Sequence, residues 1–74
     1  MTIHKDYLHD LGILLKEMAL EAKQTAEYSQ TDFAVGYMAG FHRVISLMQQ
    51  QAEAFGIPLQ ELALDGIDPD AELV

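Results

Sequence analysis

The stretch Phe33-Ala34-Val35-Gly36-Tyr37-Met38-Ala39-Gly40-Phe41-His42-Arg43-Val44-Ile45-Ser46-Leu47-Met48 decides the fold. Its only charged residue is Arg43. The apolar residues recur at the three-and-four spacing of a helix, yet they spread around most of the circumference instead of along one stripe. A single facing helix covers one stripe and leaves the rest in water. A contiguous apolar patch of more than a few hundred Å² on a soluble protein marks an interface. The sequence therefore predicts a central helix that meets more than one neighbour.

Within that helix Gly36 and Gly40 stand one turn apart with Ala39 beside them, a flat strip that another backbone can approach closely. Two glycines cost a helix about 2 kcal/mol of propensity, which argues for a packing reason at this site. The G-x-x-x-G spacing is best attested in membrane helices and is a weak signal elsewhere. Two uses are open: a contact between chains, or a close crossing of the helix's own intrachain partner near Gly12. The predicted contact face is Phe33, Gly36, Tyr37, Gly40, Phe41 and Val44.

Downstream, the helix has a marked stop. Gly56 offers the left-handed position, Ile57 an apolar residue after it, and Pro58 prevents continuation. Upstream, Ser29-Gln30-Thr31-Asp32 has the form of a capping box, with Tyr28 and Phe33 placed as a hydrophobic staple around Ser29 and Thr31 as a second candidate cap. That break separates the central helix from a first one in which Tyr7, Leu8, Leu11, Leu14, Leu15, Met18, Ala22 and Ala26 form one apolar face. Thr2 is its expected N-cap, and Gly12 interrupts the pattern. The alternative, one unbroken helix of about 50 residues, is unusual for a globular domain. A short connection makes the two helices antiparallel neighbours.

Beyond Pro58, the run to Leu64 reads as a short helix with Leu59, Leu62 and Ala63 inward, closed by Asp65-Gly66. Asp68-Pro69 has the form of a cap for one further turn, although so acidic an end is expected to fray. The expected fold is all-α: a single helical domain over residues 1–74, an antiparallel helical hairpin plus a short third helix, dimerising into a four-helix bundle. Its parts are a helix at 3–27, a helix at 30–55, a short helix at 58–64 and an acidic tail at 65–74. A core of 74 residues rarely supplies more than about 3–5 kcal/mol. With no cysteine, neither disulfides nor thiolate metal sites can help, which leaves oligomerisation.

Four basic residues against twelve acidic ones give a formal charge of −8, which repels nucleic acid phosphates and anionic lipid. A basic protein partner remains compatible. No run reaches the roughly 18 apolar residues of a membrane span and no leader pattern opens the chain, so a cytoplasmic location is expected. Catalysis is not expected. Ser29 and Ser46 have no nucleophile-elbow context, and no glycine-rich phosphate loop follows a strand. No Glu-x-x-His pair is present for a carboxylate-bridged metal centre, and His4, His9 and His42 fit no closed zinc spacing. Asp65, Asp68, Asp70 and Glu72 lack the glycine and glutamate positions of a calcium loop. No cofactor or metal is therefore expected. The leading expectation is a homo-oligomeric protein-interaction module. An acidic inhibitor, whose five carboxylates after Pro58 imitate phosphates for a basic target, and a metal- or ligand-binding bundle that pairs His42 or Glu21 across a dimer are the alternatives.

Overall fold

A computed structural model describes residues 2–74, with side chains from Ile3 onward; the cap expected at Thr2 lies outside the described residues. Helix α1 spans Thr2–Ser29 and α2 spans Asp32–Ala54. A 3-10 turn follows at Leu59–Leu62, and α3 is one turn at Pro69–Glu72. No strand occurs among the described residues. The two long helices pack as an antiparallel hairpin, and the segment after Gly56 folds back along one side of it.

The hairpin turn differs from the expected one. Ser29 is still helical and caps nothing; Gln30 turns left-handed (φ 55°) and its N–H donates to the Ala26 carbonyl at 2.9 Å, the single bond of a left-handed helix stop. Thr31, in extended conformation, then accepts from the Ala34 N–H at 3.1 Å and is the N-cap of α2. The staple does not form, since Tyr28 is 92% exposed and Phe33 is 81% exposed. One residue in the left-handed region reverses the chain here, and that leaves no room for the longer box.

At the other end of α2 the expected stop is present. Gly56 (φ 69°) donates to Glu53 at 3.1 Å and Ile57 donates to Ala52 at 2.8 Å, the paired bonds of a Schellman motif. The 3-10 turn ends in the same pattern, with Ala63 left-handed (φ 56°) and Leu64 donating to Leu59 at 3.1 Å. It is shorter and tighter than the helix expected at 58–64. One reason is that Gly12 of α1 lets it approach: a Cβ at Gly12 would lie 1.6 Å from the Leu62 carbonyl oxygen.

The tail is folded, not frayed. Asp68 caps α3 by accepting from the Asp70 N–H at 3.2 Å, while Glu72 reaches back to accept from the Asp68 N–H at 2.8 Å. Ile67, Pro69 and Leu73 are buried against the hairpin. Gln49 ties the segment to α2, donating to the carbonyls of Leu64 (3.0 Å) and Ile67 (2.9 Å), and Lys23 of α1 donates to the Val74 carbonyl. The acidic residues thus serve as local caps around three apolar anchors, an arrangement in which composition alone hides the burial.

Inside the hairpin the core is made of small side chains: Ala19, Ala22 and Ala26 from α1 face Ala34, Met38, Ile45 and Ala52 from α2. The largest fully buried side chains are Ile45, Leu64 and Leu73, two of them from the C-terminal segment.

Candidate functional site

Because α1 and α2 meet through alanines, their larger apolar residues flank the contact and are divided between two sides of the hairpin. The C-terminal segment covers one side. On the opposite side α2 shows Phe33, Tyr37, Gly40, Val44 and Leu47, which alternate in steps of four and three along one row. From 44% (Val44) to 81% (Phe33) of each large side chain in this row is exposed. Gly36 and Gly40 have nothing within 4 Å of where a Cβ would stand. The intrachain use of the glycine strip is therefore excluded, and the close approach of backbones within the chain belongs to Gly12 instead.

The six residues of the predicted contact face lie together. Gly36, Tyr37, Gly40, Phe41 and Val44 line one shallow apolar groove. Phe33 continues it at the hairpin end: its ring stacks on Tyr37 at 6.0 Å between centroids, and Tyr37 meets the half-buried Phe41 edge to face at 5.3 Å. Such ring pairs hold the side chains in defined positions while they remain open to a partner.

Sequence patterning missed the contribution of α1. Tyr7, Leu14 and Met18, read there as part of the inward face, are all exposed, whereas Leu8, Ala19, Ala22 and Ala26 face the core. Met18 lines a cleft with Phe33 and Tyr37, which joins the two exposed rows into one face. The signal was present: Tyr7, Leu14 and Met18 extend the apolar arc of α1 beyond what one neighbour can cover, as the excess breadth of α2 did.

The remaining groups are placed for structure. His42 points to the covered side, where its Nε2 lies 2.9 Å from Asp70 Oδ1, so pairing of two chains through the bare face leaves the two His42 rings apart. Glu61 pairs with Lys5 at 3.8 Å and Glu27 with Lys23 at 3.4 Å. Of the five carboxylates considered as phosphate mimics, Asp68, Asp70 and Glu72 make contacts within the fold. Ser46, Gln49, Glu53, Ile57, Asp68 and Asp70 line a further cleft between α2 and the tail. Among the described residues no group of three His, Asp or Glu side chains is arranged to hold a metal ion, and no helix is long and apolar enough to cross a membrane. No protein-family model, curated protein or solved structure matches this chain.

Proposed function

We propose that this protein is a non-catalytic interaction module that self-associates, two hairpins joining through their bare faces in a two-fold four-helix bundle. The observation that carries this reading is the inversion of side-chain size. Alanines fill the contact between α1 and α2, while Phe33, Tyr37, Val44, Leu47, Tyr7, Leu14 and Met18 stand outside it. A chain folded for life as a monomer gains more by burying its large side chains than its small ones, at about 25 cal/mol per Å².

Surface area supports the same reading. The chain measures 42 × 21 × 17 Å and exposes 5121 Å², against about 4,600 Å² for a monomer of its mass by the usual scaling. The exposed large side chains of the bare face present on the order of 800 Å², the share per partner of a standard specific interface. Pairing like with like also gives the closed symmetry most common in small oligomers.

Size-exclusion chromatography with light scattering tests the proposal. The expected mass at tens of micromolar is twice the 8.3 kDa of the chain; a monomer throughout that range overturns it.

A further inference from the structure

Two hairpin layers can stack face to face about a two-fold axis in two ways. With the axis across the helices, α2 lies on α2 of the second copy and α1 on α1. With the axis along the helices, each α2 lies on α1 of the second copy. From the charges that border the bare face, we infer that the axis runs along the helices, so that Arg43 of each copy meets Asp10 and Glu17 of the other. This inference rests on the self-association proposed above.

The border charges follow from helix geometry at 100° per residue. On α2, Arg43 directly precedes Val44 of the exposed row and stands on the edge away from α1; it is exposed, and no carboxylate of the described residues lies within 4 Å of it. On α1, Asp10 and Glu17 occupy the corresponding outer edge, one turn from Tyr7 and Leu14, and both are exposed. Residues bordering the apolar rows of paired helices are the ones whose charges choose partner and orientation. An axis across the helices brings Arg43 toward its own copy along one edge, and Asp10 and Glu17 toward theirs along the other. Both edges then juxtapose like charges. An axis along the helices sets the cationic edge of α2 beside the acidic edge of α1, twice per dimer.

The register agrees. Met18 and Tyr37 share a cleft and so stand level within one hairpin. An axis along the helices preserves level, so Arg43, six residues beyond Tyr37, comes level with residue 12 of the second copy, between Asp10 and Glu17. Met18 of that copy then comes level with the open groove at Gly36 and Gly40, where a side chain has space to enter.

Exchange of charges tests the geometry separately from the assembly. In this arrangement Arg43→Glu places like charges at both edge contacts, and so does the double variant Asp10→Lys/Glu17→Lys. Each should raise the dimer dissociation constant about tenfold with unchanged helical circular dichroism. An equimolar mixture restores opposite charges at both contacts, so native mass spectrometry should show the mixed dimer in excess over either homodimer, with affinity near wild type. A wild-type dimer whose Arg43→Glu variant associates equally well, or a mixture with no excess of mixed dimer, overturns the axis assignment and leaves self-association standing. A monomeric wild type overturns both.

Discussion

Glycine at position 12 shows how one missing side chain positions a whole segment. In the sequence it is a helix-weakening residue inside an otherwise regular amphipathic run, and nothing in the local pattern says what it is for. Its purpose is tertiary, since the backbone of the 3-10 turn occupies the space where a Cβ would be, 1.6 Å from the Leu62 oxygen. Gly12→Ala should therefore destabilise the fold even though alanine is the better helix former by about 1 kcal/mol. The clash is with backbone, which cannot rotate aside, so a net loss of roughly 2 kcal/mol or more is expected, in the range of overpacked cores. Urea unfolding reads it directly; a variant as stable as wild type would show that the turn is free to move. The cap of α2 makes a related point. Ser29 and Thr31 are equally good capping residues by type, and the left-handed turn at Gln30 that selects Thr31 is a conformation for which glutamine gives no signal.

At the scale of the element, α2 carries two apolar rows about a quarter-turn apart: Ala34, Met38, Ile45 and Ala52 inward, and Phe33, Tyr37, Gly40, Val44 and Leu47 outward. Its excess breadth was legible from the spacing of apolar residues, as were its Gly56 stop and the face that the glycines share with aromatic rings. Which row faces the hairpin was not legible, nor was the role of Tyr7, Leu14 and Met18, because the habit of assigning the largest apolar residues to the core fails where helices approach through alanine. The two rows give the glycines a distinctive prediction. In the separate chain Gly36 and Gly40 border open space, so Gly36→Ala/Gly40→Ala should stabilise the monomer by about 2 kcal/mol through helix propensity. In the dimer the same methyl groups narrow the groove and should weaken association. Thermal unfolding at low concentration and sedimentation at high concentration should thus move in opposite directions. If both rise together, the groove is not a contact.

For the molecule as a whole, the two sides of the hairpin have different owners: the chain's own C-terminal segment covers one, and the other is bare. The hairpin buries mainly alanine, which contributes little transfer free energy, so the segment supplies a large part of the core through Leu64, Ile67 and Leu73. Leu73, 1% exposed, sits just beyond the single turn of α3 and holds it down. Leu73→Ala should cost about 3 kcal/mol, most of the 3–5 kcal/mol expected for a core of this size. The variant should therefore be substantially unfolded when dilute. Association through the opposite face draws the folded form by mass action, so its apparent melting temperature should climb with protein concentration, with Tyr28→Ala on the surface as the neutral control. Wild-type stability in Leu73→Ala at low concentration would mean that the hairpin stands without its C-terminal cover. A melting temperature independent of concentration, for a variant destabilised as expected, would mean that the bare face contributes nothing to holding the fold together.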